Sequence, residues 1–336
     1  MRAAAGAAVV GAAVWAGWRR HGTLVDAGHL LRGVRPGWLL VAAGAEAASM
    51  AAMARLQRGL LRAGGVPVPG GQMVRIVLAA NALGTSLPGG VAWGATWELG
   101  QLRRRGADRV LAGWVVLAAG ALSSFALFVL IALGAFLAGG RGPVAGLRWL
   151  AALLAAVPVG VGVVAVWCRR SAAARRGVSA GAAALGSRFP RAARAVERLF
   201  EQLDGLRPGA GAWVSAFGAA LANWLFNAAC LVACLVALHQ AVPWRGVLVV
   251  YALTQVSASL PVTPGGLGVV EGSMAGLLVA YGVAAGPALA VVLLYRIVSF
   301  WGVVPVGWAS WLDLEVRGQA SRRLRAIAPA TRATAA

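Results

Sequence analysis

"SASLPVTPGGLGVVEG", Ser257 to Gly272, decides how this chain folds. It lies inside the apolar run 246–281, yet it carries two prolines, several glycines and Glu271. Proline removes a backbone donor and clashes with the preceding turn, and glycine weakens a helix. A charged side chain at the centre of a bilayer costs about 2.5–3.5 kcal/mol on insertion scales. A membrane accepts such a stretch only where protein or a wet cavity shelters the broken backbone.

The rest of the chain makes a membrane the right solvent. Of its 336 residues 60% are hydrophobic and 12% charged, with a mean hydropathy of +0.76. A soluble domain is about half apolar and a quarter charged, so the composition points to a polytopic membrane protein. The net charge is +21. The arginines that supply it sit in short loops between apolar runs, as topology signals and as contacts for anionic headgroups. No soluble basic module is present, which argues against nucleic acid as a partner. The cysteines Cys168, Cys230 and Cys234 and the histidines His21, His29 and His239 show no metal-ligand or triad spacing. No metal or other cofactor is therefore expected.

Along the chain, residues 3–18 are apolar but short for a span, and 19–35 have the pattern of an amphipathic interfacial helix. The sequence predicts spans at about 36–56, 108–138, 143–167, 210–238 and 286–312. It predicts a basic cytoplasmic segment at 169–208 and a basic cytoplasmic tail at 313–336. The runs are too long for barrel strands, so the expected fold is an all-α helix bundle.

Two runs, 72–102 and 246–281, are each broken in the middle. The first break reads "SLPGG" at 86–90 and the second "SLPVTPGG" at 259–266. Gly89 and Gly265 are 176 residues apart, as are Gly106 and Gly282. The pieces flanking each break are near half a membrane thickness. Both runs are expected to be re-entrant helical hairpins with tips near the midplane, two tilted spans each being the alternative. The tip residues are Pro88, Gly89 and Gly90 in the first hairpin, and Pro261, Pro264, Gly265, Gly266 and Gly268 in the second. Three intervening spans would invert the second copy relative to the first. The arginine distribution then places the C-terminus in the cytoplasm. The four arginines of 19–35 would lie outside, against that rule.

Ionisable residues at depth mark the candidate site. Arg296 and Glu46 each lie ten residues into a predicted span, about 15 Å deep at 1.5 Å per residue. Glu271 follows the second tip closely, at similar depth. Glu271 and Arg296 are expected to pair, with Glu46 nearby. Buried charges in membranes usually mark a substrate or proton path, although a pair that merely locks helices is the plainer reading. Asn81, Ser86, Gln255 and Ser259 are candidates to line the same cavity. Glu98, nearer the cytoplasmic surface, and Asn223 and Asn227 are weaker ones.

These residues resemble a known family. "LPVTPGGLGVVEG" followed by "ALAVVLLYRIVSFW" is similar to the hallmark of the lysylphosphatidylglycerol synthase transmembrane-region family, also called YbhN-like, which includes the membrane flippase half of MprF. Its Pro–x–x–Pro–Gly–Gly–x–Gly–x–x–Glu motif corresponds to Pro261, Pro264, Gly265, Gly266, Gly268 and Glu271, with Arg296 in the next helix. Asn81 and Pro88 resemble the family's first-copy element. Where the family often has Glu-Arg after the first hairpin, this chain has Ala119 and Gly120. The chain ends at Ala336 without a soluble acyltransferase-like domain, so the resemblance implies lipid translocation rather than synthase activity.

The expected function is that of a non-enzymatic flippase or transporter of phospholipid or polyprenyl-linked lipid in the cell membrane. The alternatives are a membrane-embedded component of glycosyl or aminoacyl transfer to lipid, or a non-transporting accessory subunit. Membrane lipids with anionic headgroups are the expected partners, and homo-oligomers or a partner enzyme remain open.

Overall fold

The computed structural model describes residues 33–87, 89–138, 209–258 and 266–317. The predicted span 143–167, the segment 169–208 and most of the two termini lie outside the described residues. Within them every regular element is helical.

Helix α1 covers Pro36–Ala63, two turns beyond the predicted 36–56. Proline at its first position costs no hydrogen bond. Helices α2 (Gly70–Ser86) and α3 (Gly90–Arg103) are the legs of the first hairpin, and α4 is Arg109–Leu137. The Asp108 side chain caps α4 by accepting the Leu111 N–H at 2.6 Å. Helix α5 is Ala210–Ala237, α6 is Val247–Ala258 and α7 is Val269–Ala280. Helix α8 starts at Ala285 and continues to Arg317 through a π-helical turn at Ile297–Trp301. Residues 313–317, predicted as tail, are thus helical. Helices α1, α4, α5 and α8 are each long and apolar enough to cross a membrane.

Helices α1 and α5 form an antiparallel pair. Arg35 N–H donates to the Ala237 carbonyl at 3.1 Å, joining the start of one to the end of the other. Midway, the buried Asn223 Nδ2 donates to Ser49 O and Ser49 Oγ, each at 2.9 Å. Ser49 Oγ donates in return to the Asn223 carbonyl at 3.0 Å. Apolar surface gives membrane helices no reason to associate in lipid, so such polar clasps and close small-residue packing hold them. Asn223→Ala is expected to lower stability in detergent by about 0.6–1.7 kcal/mol, read as an earlier denaturant midpoint.

Small residues let the legs of the first hairpin touch backbone to backbone. A Cβ at Gly90 would lie 2.5 Å from Leu83 O, and one at Gly94 would lie 2.6 Å from Ala80 O. Arg75, near the start of α2, pairs with Asp313 at 2.9 Å, and Arg104, just after α3, pairs with Glu315 at 3.1 Å. The outer ends of α2 and α3 are therefore tied to the C-terminal end of α8. The outer ends of α6 and α7 meet elsewhere, where Gly246 lies against the Tyr281 ring. The start of α6 also touches the far end of α4: a Cβ at Gly134 would be 3.0 Å from Val249 N.

Matching positions recur in the two halves. Helices α1 and α5 both have 28 residues, and their ends are offset by 174. Gly106 and Gly282, offset by 176, have left-handed φ of 97° and 94°. Gly89 and Gly266, at the start of α3 and before α7, share a φ of 67°. The buried core forms two clusters. One gathers α5, α6, α7 and the first part of α8, including Tyr251 and Met274, with Ala42 of α1 and Leu130 and Ile131 of α4. The other gathers α1, α2 and α4, including Leu56, Met73 and Val115, with Ala216, Ala219 and Ala220 of α5.

Candidate functional site

The motif of the opening stretch ends in a sharp entry to α7. Gly268 precedes the helix with φ +83°, a conformation that L side chains resist. Gly266 is also left-handed, and a Cβ there would lie 2.8 Å from Val270 Cγ2. These two glycines explain the spacing up to Glu271. At the third position of α7, Glu271 Oε2 accepts the Gly268 N–H at 2.6 Å. The carboxylate thereby satisfies one of the orphan donors of a helix start, where the macrodipole also favours negative charge.

The other oxygen of Glu271 meets Arg296. Arg296 Nε donates to Glu271 Oε1 at 2.6 Å, and the guanidinium carbon lies 4.5 Å from the centre of the Phe300 ring. Arg296 is 8% exposed. It lies on the turn where α8 widens into its π segment, a distortion frequent at functional sites.

Beside the pair stands a second polar group, centred on Asn227 of α5. Asn227 Nδ2 donates to Glu46 Oε2 of α1 at 2.8 Å. Asn227 Oδ1 accepts the Tyr295 hydroxyl of α8 at 2.5 Å, and Gln255 Nε2 of α6 approaches the same oxygen at 3.5 Å. Gln255 Nε2 also donates to the Tyr251 hydroxyl at 2.9 Å. Four helices thus contribute to one knot, ten or eleven residues from the ends of α1, α5 and α8. At 1.5 Å per residue that is about 15 Å in, half the thickness of a hydrocarbon core. Glu46 reaches the charge pair through Asn227 and Tyr295, the neighbour of Arg296 in the chain.

Not all of the sequence candidates gather here. Asn81 turns its Nδ2 to Met50 Sδ at 4.0 Å. Ser86 receives the Trp308 indole N–H at 3.4 Å, a helix-packing contact. Asn223 belongs to the Ser49 clasp. Glu98 is only 7% exposed and stands beside Gln57 of α1, apart from the Asn227 knot. Ser259, Pro88, Pro261, Pro264 and Gly265 lie outside the described residues. Tyr251 and Tyr295 were not among the candidates. The available signal is that a buried phenol needs a hydrogen-bond partner, and both stand inside apolar runs.

Among the described residues no group of three or more potential ligands could hold a metal ion. Residues 3–307 match the family described as lysylphosphatidylglycerol synthase TM region. The chain is also similar to a UPF0104 membrane protein of Methanothermobacter thermautotrophicus (strain Delta H), with 34% identity over 87 residues. That stretch spans 26% of the chain and 26% of the relative. The chain is a polytopic membrane protein, and it belongs to the lysylphosphatidylglycerol synthase TM region family.

Proposed function

We propose that this protein moves lipid headgroups across the cell membrane, as a flippase or transporter and without catalysing a covalent change. The observation that carries this reading is the Glu271–Arg296 pair with the Asn227 knot beside it. An ion pair and a polar group at half-membrane depth cost more than apolar packing would. A headgroup crossing the hydrocarbon needs such groups, while its acyl chains stay in lipid. The charges of Glu271 and Arg296 can each be exchanged for an opposite charge on a zwitterionic or anionic headgroup.

Two features support a pair of re-entrant hairpins of opposite orientation around this centre. The outer ends of α2 and α3 lie at one end of α8, and those of α6 and α7 lie away from it. The matching helix lengths and glycine conformations favour an inverted repeat, an arrangement common in transporters. Arginine-rich loops on the side of α2 and α3 would gather anionic lipid and place the C-terminus in the cytoplasm.

The test is reconstitution into vesicles carrying fluorescent lipids of several headgroups, with reduction of the outer-leaflet fluorophore as the readout. The wild type is expected to expose inner-leaflet lipid, and Glu271→Gln to lower the rate per folded protein at least tenfold. Transport at the wild-type rate in Glu271→Gln would sink the reading. A covalently altered lipid recovered from detergent micelles would replace it with an enzymatic one.

A further inference from the structure

A different polar space lies toward the first hairpin. A chamber of about 490 Å³ opens between α1, α2, α3 and α5. Its polar lining includes Ser49, Gln57, Asn81, Thr85, Glu98 and Asn223. Glu98 is the one ionisable side chain among the described residues that line it. Glu98 and Gln57 are each 7% exposed, and the Oε1 of each lacks a hydrogen-bond partner among the described residues. Gln57 stands beside Glu98. Both orphaned atoms are acceptors, from two different helices, facing the same space. Buried polar atoms are nearly always paired, so the missing partner is a donor or a cation.

None of the arginines of the flanking helices is among the described residues that line the chamber, and four of them are engaged with others. Beyond α3, Arg104 holds Glu315 of α8, and Arg105 donates to the Gln101 carbonyl and side chain. On α2, Arg75 holds Asp313 of α8, and on α1, Arg58 donates to the Val68 carbonyl at 2.8 Å. Helix α4 carries only Arg109, at its first position, and α5 carries no charged residue. The lining therefore has one negative charge and no internal counter-charge.

We propose that this chamber binds one monovalent cation, an alkali ion or a proton, with Glu98 as its anion. For an alkali ion, Gln57 Oε1 is a second oxygen ligand and water supplies the rest. A divalent ion would leave an uncompensated positive charge in apolar surroundings, a heavier penalty than a neutral site. Hard oxygen donors suit hard cations rather than soft metals. The volume, against about 30 Å³ per water, leaves room for a hydrated ion. The binding site stands on its own geometry, and its use to drive lipid movement rests on the transport reading above.

The experiment uses the purified full chain in detergent, with N-methylglucamine chloride replacing sodium chloride at constant ionic strength. Radioactive sodium binding and proton uptake between about pH 8 and pH 6 are measured on the same preparation. The expected result is saturable binding of one sodium per chain, or an uptake that exceeds that of Glu98→Gln by one proton per chain, since the three histidines and the α-amino group also titrate in this window. Sodium binding should weaken at least tenfold in Glu98→Gln and in Gln57→Leu, and the proton difference should be kept in Gln57→Leu and lost only in Glu98→Gln. Gly276→Ala, at an open position of α7, should leave both unchanged. A wild type that shows neither saturable binding of sodium, lithium or potassium nor that proton uptake overturns the proposal, whether or not the variants fold. Lipid movement without bound cation would sink this proposal alone. Cation binding without lipid movement would sink the transport reading alone.

Discussion

Replacing Arg296 with methionine is expected to abolish lipid movement and to destabilise the fold by about 3 kcal/mol. Methionine keeps the bulk and flexibility of the side chain but strands Glu271. Removing one partner of a buried pair costs about 3–5 kcal/mol. The lower end applies here, because 20% of the Glu271 side chain remains exposed and the Gly268 N–H still holds one oxygen. The double variant Glu271→Gln with Arg296→Met removes both charges. It is expected to recover part of the lost stability while remaining inactive. Chemical denaturation in detergent gives the stability of each variant, and the double-mutant cycle isolates the coupling. A double variant no more stable than the sum of its parts would show that the two residues do not act as a pair.

Gly307→Val is expected to have the second largest effect, at a position with no charge and no motif. Gly307 is where the second half of α8 crosses α2. A Cβ there would lie 2.6 Å from Ala82 Cβ and closer still to the Leu78 carbonyl. The opposing backbone cannot rotate away as a side chain can. Overpacking of this kind costs about 1–3 kcal/mol. Separation of α8 from α2 would also strain the Arg75–Asp313 and Arg104–Glu315 contacts that close that end of the bundle. A lowered thermal midpoint with earlier cleavage of the 104–108 turn is the expected readout. Gly302→Ala is less informative, since its close neighbours belong to its own π turn.

The long spans were legible because hydrocarbon demands continuous apolar helix, and α4 and α5 match their apolar runs closely. The breaks in the two hairpins were legible from proline and glycine, whose backbone limits are local. The positions of Arg296 and Glu46, ten or eleven residues into their helices, followed from counting along the apolar runs. The Asn227 knot did not, because it depends on which faces of four helices meet, and Ala-, Leu- and Val-rich faces look alike. The neighbourhood of Glu98 was not legible either, because counting along one helix gives depth and not the facing helix, which here brings Gln57 of α1 beside it. The continuation of α8 past 312 was hidden by its charges, which serve as ties to α2 and α3 rather than as a tail.

The π turn at Ile297–Trp301 inserts one residue more than an α-helical turn needs. Each α-helical residue turns the chain by about 100°. The turn therefore acts as a phase shift between two otherwise independent gear trains on one shaft. Residues up to Arg296 keep the rotation that meets Glu271 and Asn227. Residues from Gly307 onward keep the rotation that meets α2 and, through Glu315, Trp97 and Gln101 of α3. A change in how this one turn is wound would rotate one set against the other, a second link between the charge pair and the chamber besides Asn227, which lines the chamber and bonds Tyr295.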